Sequence, residues 1–389
     1  MRSTVENDVK FLFGDQALEN LMYELYIRGI KSPMFVCDDM ARRLGYKREL
    51  FRAVDGNGCD IACIDQRVED IASVQDVERI VRLYATNNCD CIIGMGRKGL
   101  VQAVKAAKIL LRDGVSTMAH YDTHAVGEYP ARNVPMFLIP TNLASGSECM
   151  DVARIYDTKQ NKVYAFDTAY ASTQVVVADR RMSDIIPPKA VASYGLCAFS
   201  MACAGCLYEP QVFVRPYAES ALEILNRTLT PCIVHNADAN LRTALMSAVI
   251  LSGCGYGNLH KHLLTELSDI LSDRYRINFN NVFAVLFRRY VQMHENDPLR
   301  MEQLLLSLIG EHEWAMCTPA GRAAKAAECI EAVFAQVCEK VDYMDHLSEL
   351  GVERSDFAAI AEQVIAQHGD KADPEATYSF ISQWLEASY

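Results

Sequence analysis

The sequence is short of basic residues. Lysine and arginine together number 38, against 50 aspartate and glutamate residues, which gives a formal net charge of −12 at pH 7. A protein with this balance repels the phosphates of nucleic acids and the headgroups of anionic lipids. We therefore expect neither nucleic acid nor a membrane surface as a partner.

The N-terminal residues lack the apolar core of a secretory signal, because Glu6 and Asp8 interrupt residues 1–9. Fourteen cysteines would also be a heavy load of free thiols in an oxidising compartment. Both features predict a cytoplasmic protein with reduced cysteines.

Long uncharged runs are scarce, and residues 190–208 form the one that draws attention. This run is nearly long enough to span a bilayer, but serines and glycines are spread among its small residues. We interpret it as a buried helix of the protein core.

Internal repeats and low-complexity tracts are absent, and 50% of the residues are hydrophobic, as in an ordinary globular protein. A chain of 389 residues exceeds what one core usually serves, so two domains are expected. The pattern changes at Pro187 and Pro188 and is almost wholly helical afterwards. We predict an α/β domain over residues 1–184 and an all-helical domain over residues 185–389.

The first domain alternates short apolar runs with segments of helical spacing. Strands are predicted at residues 11–14, 33–37, 59–64, 91–93, 136–139, 152–156, 163–166 and 174–178. This rhythm predicts a parallel sheet with helices on both faces. In such sheets, ligands bind at the carboxyl ends of the strands.

Residues 140–148 form the polar loop around which the candidate site is organised. The loop has the sequence PTNLASGSE and lies between two strand-like runs. Its hydroxyl, amide and glycine residues suit the phosphates and riboses of a nucleotide, although short serine- and glycine-rich loops are also common connectors. A dinucleotide contact through Thr141, Asn142 and Ser147 and a simple polar turn are the two interpretations.

A glycine-punctuated turn follows the run 91–93. Gly96 and Gly99 bracket Arg97 and Lys98, and a helical pattern begins directly afterwards. Such a turn presents backbone N–H groups and a helix N-terminus to phosphate. Arg97 and Lys98 either add charge to a phosphate site or block the close approach that glycine allows.

Asp38 ends the buried run 33–37. A carboxylate at the end of the second strand accepts a hydrogen bond from an adenosine ribose 2′-hydroxyl and repels a 2′-phosphate. The residue therefore predicts NAD(H) rather than NADP(H) as the cofactor. The alternative is a residue that only forms the turn after the strand.

Two further groups of residues suggest other chemistry. Cys203 and Cys206 form a C-x-x-C pair, but no second pair lies at a zinc-binding spacing, and buried thiols are the simpler interpretation. His120 and His124 have a spacing that suits a metal on a helix. The glycines and proline around them favour a solvated loop instead.

Several stretches carry a family resemblance in their order along the chain. Residues 140–148 match a Pro-Thr-Thr-Ala-Gly-Thr-Gly-Ser-Glu loop in length and at five positions. The other matching residues are Phe13-Gly14 with Ala17, Val36-Cys37-Asp38, Asp179, Pro187-Pro188, Ala192 with Gly195, Asp238 with Arg242, and Leu350-Gly351-Val352. With these stretches the chain resembles the iron-containing alcohol dehydrogenase family along nearly its whole length.

The resemblance implies a dinucleotide-binding α/β domain followed by an all-helical domain, the fold shared with dehydroquinate synthase. It also implies a small-molecule substrate in the cleft between the domains. In that family a divalent metal, Fe²⁺ or Zn²⁺, polarises the alcohol or aldehyde oxygen while hydride passes to or from the nicotinamide. A homo-oligomer is expected as well.

The family's metal ligands are replaced in this sequence. Cys197 stands where the family has aspartate and Met201 where it has histidine, and Asn280 falls on the last histidine. His260 and His262 are candidates for the remaining ligand. Cysteine, methionine and asparagine make a poor site for Fe²⁺ and an unusual one for Zn²⁺.

These departures leave three interpretations of the function. The first is a nicotinamide-dependent oxidoreductase that interconverts a small alcohol and an aldehyde or ketone with an altered metal site. The second is a non-catalytic member of the family that acts as a binding or structural subunit. The third is metal-free chemistry with Cys197 as nucleophile, which requires an adjacent base.

Overall fold

The computed structural model describes residues 9–54, 59–127, 133–160, 162–184, 186–208, 214–257, 262–293, 298–368 and 374–389. The contacts divide the chain into two compact units, Met1–Ile186 and Pro187–Tyr389. Residue 184, where we predicted the boundary, lies close to this division. Both units contain many buried apolar side chains.

The first unit alternates strands with helices. Its strands are β1 (Lys10–Gly14), β2 (Pro33–Asp38), β3 (Cys63–Val68), β4 (Cys91–Gly96), β5 (Met136–Pro140), β6 (Val152–Asp157), β7 (Lys162–Asp167) and β8 (Val175–Asp179). Its α-helices are α1 (Leu21–Ile27), α2 (Asp39–Arg43), α3 (Tyr46–Val54), α4 (Val74–Thr86) and α5 (Lys98–Asp113).

Six of these strands form one parallel sheet in the order β1-β8-β5-β4-β2-β3. Alternate residues of one strand enter two different cores, since Met34 and Val36 pack with α4 and α5, whereas Phe35 and Cys37 pack with α1 and α3. The predicted parallel sheet with helices on both faces is confirmed. Strands β6 and β7 pair antiparallel as a separate hairpin.

The third strand was predicted four residues too early, at 59–64 rather than Cys63–Val68. Strand β3 lies at the end of the sheet beside β2. Its outer edge therefore tolerates polar residues such as Gln66 and Arg67, which hide the strand from a search for apolar runs. The apolar residue Cys59 still packs into the core, ahead of the strand.

Parallel pairing brings the ends of β2, β4 and β5 to the same edge of the sheet. Cys37 lies opposite Met95 in the register of β2 and β4, and Gly96 lies opposite Pro140 in that of β4 and β5. Asp38, the glycine turn and the loop 140–148 thus emerge side by side.

The second unit is helical in its described residues, as predicted. Its helices are α6 (Pro188–Tyr208), α7 (Arg215–Val234), α8 (Ala239–Tyr256), α9 (Leu263–Tyr275), α10 (Phe279–Met293), α11 (Pro298–Met316), α12 (Arg322–Lys340), α13 (Phe357–His368) and α14 (Pro374–Ser388). Gly351 has a φ of 85° in the turn before α13, a backbone conformation that favours glycine.

The uncharged run forms α6. Among the described helices, α6 is the one long and apolar enough to cross a bilayer, but 94% of its apolar window is buried within the protein. The prediction of a buried core helix is confirmed. Cys203 and Cys206 lie inside it, and burial raises the pKa of both thiols, that of Cys206 to about 11. Thiols of this kind are unreactive at neutral pH.

Helices α7 and α8 approach each other at small residues. A Cβ added to Gly255 would lie 2.8 Å from the backbone nitrogen of Ala218 and 3.0 Å from its Cα. Because these are backbone atoms, no side-chain rotation relieves the overlap.

We expect Gly255→Ala to lower the free energy of unfolding by about 1–3 kcal/mol, because α7 and α8 must separate. Urea unfolding followed by circular dichroism measures the change. Ser247→Ala, at a half-buried position of α8, serves as the control and should change stability by less than about 1 kcal/mol. An unchanged unfolding midpoint in Gly255→Ala would contradict the close approach of the two helices.

Candidate functional site at the carboxyl edge of the sheet

The loop 140–148 lies against the glycine turn. The backbone N–H of Thr141 donates to the carbonyl oxygen of Gly96 over 3.1 Å, and that of Asn142 donates to the carbonyl oxygen of Met182 over 2.9 Å. Two segments that are about 45 residues apart in the chain therefore form one surface at the ends of β4 and β5.

The loop has a specific backbone conformation. Asn142 and Ala144 have φ angles of 59° and 66°, and Gly146 has a φ of 76°. Positive φ is uncommon for residues other than glycine, so other contacts must maintain it. Side-chain hydrogen bonds inside the loop supply part of that support.

Glu148 is the acceptor at the centre of these bonds. Its carboxylate is fully buried and accepts the backbone N–H of Ser145 at 3.2 Å and the Ser145 hydroxyl at 3.0 Å. The Ser147 hydroxyl lies 2.5 Å from that of Ser145. Burial raises the pKa of Glu148. Ser147, a predicted cofactor ligand, thus has its hydroxyl bonded inside the loop.

Lys105 of α5 supports the loop through hydrogen bonds to backbone carbonyl oxygens. Its ammonium group is fully buried and donates to the carbonyl oxygens of Ser147, at 2.6 Å, and Met150. Burial lowers the pKa of Lys105 to about 8. The sequence predicts the helix after the glycine turn but assigned no role to Lys105, although a cation between apolar helical positions was a signal for it.

Thr141 differs from its neighbours in the loop. The residue is 1% exposed, and its side-chain oxygen is buried without a hydrogen-bond partner. Leaving a buried hydroxyl unpaired costs about 1–3 kcal/mol. A polar ligand atom at this position would supply the missing partner, beside Gly96 at the strand ends.

Asp38 forms the turn after β2. One carboxylate oxygen accepts the N–H of Ala41 at 2.7 Å and so caps α2. The other accepts the backbone N–H of Arg97 at 2.9 Å and its Nε at 3.2 Å. The residue is 1% exposed. The turn-forming interpretation describes these contacts, and the ribose contact stays a prediction that would require Arg97 to move.

Arg97 bridges two carboxylates. Besides Asp38, it binds Asp70 in the loop after β3, with Nη1 donating to Oδ2 over 3.0 Å and Nη2 to Oδ1. Asp70 is 65% exposed and Arg97 is 21% exposed. The guanidinium is thus neutralised by the chain itself. Lys98, the other cation of the turn, is half-buried in the first turn of α5.

Contacts inside the chain also explain why both flanking residues are glycine. A Cβ on Gly96 would lie 2.8 Å from Oδ2 of Asp38. A Cβ on Gly99 would lie 2.1 Å from the backbone carbonyl oxygen of Asp70. The space that the sequence pattern assigned to a phosphate is, beside Gly99, filled by the loop after β3.

His120 lies in a short helical turn, and His124 follows it in a stretch without regular secondary structure. Residues Met118–Asp122 form a 3₁₀ helix, and the two imidazole rings stack with centroids 4.3 Å apart. The predicted solvated loop describes His124, whereas His120 belongs to the 3₁₀ helix. His124 is exposed and His120 is half-buried.

The residues that the family resemblance sets at the metal-ligand positions lie in the second unit. Cys197 and Met201 of α6 and Asn280 of α10 are 3%, 4% and 6% exposed. The Ser193 hydroxyl donates to Oδ1 of Asn281 over 2.5 Å, so this face of α6 packs on the start of α10.

Two histidines are the sequence candidates for the remaining metal ligand. His262 caps α9, where its Nδ1 accepts the N–H of Leu264 at 3.3 Å, and His260 lies outside the described residues. No group of three His, Cys, Asp or Glu side chains within the described ranges is placed to hold a metal. A thioether and an amide are unusual donors for either metal, whereas a cysteine thiolate is a common ligand of Zn²⁺.

Comparison with known proteins identifies the family. Residues 8–180 match the profile for iron-containing alcohol dehydrogenase, and residues 211–389 match that for the C-terminal part of the Fe-containing alcohol dehydrogenase family. The chain belongs to the iron-containing alcohol dehydrogenase family. The resemblance seen in the sequence is confirmed.

Individual relatives are distant but cover nearly the whole chain. A sulfoacetaldehyde reductase from Bilophila wadsworthia is 23% identical over 87% of this chain and 86% of its own. The alcohol dehydrogenase from Oenococcus oeni has a TM-score of 0.85 at 18% identity, covering 98% of both chains. The sulfoacetaldehyde reductase from Bifidobacterium kashiwanohense, solved with NAD⁺, has a TM-score of 0.79 at 16% identity, covering 100% of this chain and 99% of that one. These structures confirm the predicted fold.

Proposed function

We propose that the protein is an oxidoreductase that interconverts a small alcohol and an aldehyde or ketone with NAD(H), bound at the carboxyl edge of the sheet. The observation that carries the proposal is the unpartnered, buried hydroxyl of Thr141 beside Gly96. It lies in the loop that matches the family's motif. A nucleotide is the ligand that parallel sheets bind at this edge.

The proposed reaction transfers a hydride between C4 of the nicotinamide and the carbonyl carbon of the substrate, while a proton is exchanged at the carbonyl oxygen. The relatives named above are reductases or dehydrogenases by their own names. Their reaction class, applied to this chain, supports the proposal.

Thr141→Val tests the site with little change in shape. We expect the dissociation constant for NADH to rise about tenfold, because the variant cannot form the hydrogen bond that the hydroxyl is placed to make. Thermal stability should be retained or rise slightly, because the unpaired hydroxyl is removed.

Thr173→Val is the matched control. The Thr173 hydroxyl is also buried, but it already donates to the carbonyl oxygen of Glu148 over 2.8 Å. Its loss should lower stability more than it lowers affinity. Equal NADH affinity in the native protein and Thr141→Val, measured by calorimetry, would count against a cofactor contact at Thr141.

The proposal includes an altered centre without tightly bound Fe²⁺ or Zn²⁺, since Met201 and Asn280 are unusual donors for either metal. We expect less than about one-tenth of an equivalent of each metal by elemental analysis after purification without chelator. Stoichiometric metal that disappears in Cys197→Ser would overturn this part of the proposal.

A non-catalytic paralogue is the second candidate function. It is favoured by the capture of Arg97 between Asp38 and Asp70 and by the Asp70 carbonyl that fills the space beside Gly99. The two candidates differ in one measurement. A native protein that binds neither NADH nor NADPH in a direct titration supports the non-catalytic candidate.

We further propose a homo-oligomer that forms at strand β1. This strand lies at the end of the sheet beside β8, and its Phe11 and Phe13 are 37% and 46% exposed. Tyr23 and Tyr26 of the adjacent α1 are 63% and 76% exposed. A second copy offers the same strand edge and the same apolar patch, so a two-fold pairing covers both.

Phe11→Asp combined with Phe13→Asp is expected to convert the oligomer to monomers, because four carboxylates would face each other across the proposed contact. Light scattering after size exclusion measures the mass. Ile64→Asp, at a 38% exposed position on the opposite edge strand β3, should leave the mass unchanged. Dissociation by Ile64→Asp alone would place the contact elsewhere.

The cellular setting is part of the same proposal. All fourteen cysteines are free thiols, which suits a reducing cytoplasm. The net charge of −12 opposes binding to nucleic acid or to anionic membrane lipid. A small alcohol or carbonyl compound is the proposed substrate class.

A further inference from the structure

The sequence predicts that Asp38 discriminates between NAD(H) and NADP(H). In the structure, however, its carboxylate is buried and already hydrogen-bonded within the chain. It is 1% exposed and accepts hydrogen bonds from the backbone of Ala41 and from the backbone and Nε of Arg97. A 2′-phosphate at this edge would meet the guanidinium of Arg97 before it met the carboxylate of Asp38.

An arginine at this position ordinarily favours a 2′-phosphate, because its paired N–H groups bind phosphate oxygens in a bidentate fashion. In this structure Nη1 and Nη2 of Arg97 are both donated to the carboxylate of Asp70. Asp70 therefore takes the hydrogen-bonding positions that a 2′-phosphate would need.

The loop after β3 holds Asp70 in this place. Its backbone carbonyl oxygen lies so close to Gly99 that a Cβ there would be 2.1 Å away. The backbone of Asp70 is thus packed on the first turn of α5, and only rotation of the side chain would release Arg97. The group Asp38, Arg97 and Asp70 carries one more negative than positive charge, which disfavours an additional phosphate.

We propose that Asp70, through its pairing with Arg97, is the residue that determines the preference of this protein for NAD(H) over NADP(H). The inference rests on the proposed function, in which a dinucleotide binds at this edge. A free 2′-hydroxyl that makes no contact with Asp38 leaves the Arg97–Asp70 pair intact, whereas a 2′-phosphate must displace Asp70 or lie against its charge.

The test is a calorimetric titration of NADH and NADPH into the full-length protein and three variants at matched salt. In Asp70→Asn we expect the ratio of the NADPH dissociation constant to that of NADH to fall by about tenfold, because Arg97 becomes available to the 2′-phosphate. Asp70 is 65% exposed, so the substitution leaves the core unchanged.

Two variants make the result specific. Glu69→Gln removes the same charge one residue away and is expected to leave the ratio unchanged. Asp70→Asn combined with Arg97→Gln is expected to lose the gain in NADPH affinity, since the guanidinium that receives the phosphate is gone.

The possible results distinguish failure of the role proposed for Asp70 from failure of the proposed function. If the native protein binds NADH but Asp70→Asn leaves the ratio unchanged, or if Glu69→Gln lowers it equally, the role of Asp70 is overturned and the proposed function stands. If no protein in the set binds either nucleotide, the proposed function is overturned and the inference falls with it.

Discussion

Asp179→Ala is expected to lower the free energy of unfolding by about 3–5 kcal/mol, because it removes the buried carboxylate that accepts both a buried backbone N–H and an arginine. Asp179 ends β8 and is fully buried. Its carboxylate accepts the N–H of Leu18 at 2.8 Å and is bound by the guanidinium of Arg181 at 2.8 and 2.9 Å. The variant would leave the N–H of Leu18 without its acceptor and Arg181 with only the more exposed carboxylates of Glu19 and Glu49.

The same contacts set an acid dependence. Burial by itself raises the pKa of Asp179, but the hydrogen bonds from Arg181 and Leu18 outweigh it and hold the pKa below its usual range. The native state therefore binds this proton less readily than the unfolded chain does. The stabilisation is complete above the unfolded pKa of about 3.9 and is lost as the pH falls through the lower native value.

Urea unfolding at pH 7 and at several values below pH 5 measures both effects. Asp179→Asn, which keeps an oxygen acceptor but loses the charge, should fall between the native protein and Asp179→Ala. Asp15→Ala is the control, since Asp15 is 61% exposed in its pair with Arg180 and should cost less than about 1 kcal/mol. Similar losses in the two alanine variants would show that burial does not set the strength of these pairs.

Two buried lysines are expected to make the protein more stable as the pH rises from 8 to 9. Burial lowers the pKa of Lys105 and of Lys108 to about 8, and for Lys108 the nearby charge of Lys105 acts in the same direction. Lys108 donates to the carbonyl oxygen of Ser172 over 2.5 Å. Both ammonium groups donate hydrogen bonds to neutral oxygens. These bonds compensate only part of the hydration that the charged groups lose on burial.

The direction in which stability changes with pH follows from the number of protons that the native and unfolded states bind. The unfolded lysines titrate near pH 10.4, so between about pH 8 and 10.4 the unfolded chain binds more protons than the native one, and stability rises with pH. The gain between pH 8 and 9 is about 1 kcal/mol for each lysine. Below pH 8 both states are protonated, and the full cost of burying the charges is present.

Comparison with Lys105→Met and Lys108→Met isolates this contribution. Buried thiols such as Cys59 and Cys89, whose pKa burial raises to about 11, act in the opposite direction above about pH 8.5. They are present in every variant and cancel in the difference. Each methionine variant should lack about 1 kcal/mol of the rise, and parallel pH profiles would contradict the buried charges.

The sequence alone determined the fold class, because periodicity reports burial directly. Fully buried strands such as β2 and β5 appear in the sequence as continuous apolar runs. The uncharged run of α6 likewise predicted a core helix. The third strand was placed wrongly for the same reason, namely that the apolar pattern reports only burial. An edge strand is half solvated, so its polar residues carry no apolar signal.

The sequence also named the segments of the candidate site. Asp38, Gly96 and Thr141 were singled out, and parallel pairing brings all three to one edge of the sheet. Residue types and their spacing predicted which segments meet because the ends of adjacent parallel strands are neighbours by construction.

Only the tertiary structure decided which groups remain available at that edge. Asp70 belongs to a segment that the sequence did not connect with the site, and Lys105 lies on the predicted helix but had no assigned role. Asp70 nevertheless pairs with Arg97, and Lys105 binds the loop 140–148. Hydrogen bonds and ion pairs between residues 27 or 42 positions apart depend on side-chain directions that no local pattern records. The sequence therefore identified Thr141, Arg97 and Asp38 as candidates, and the packing distinguished the unpaired hydroxyl of Thr141 from charges that the chain already neutralises.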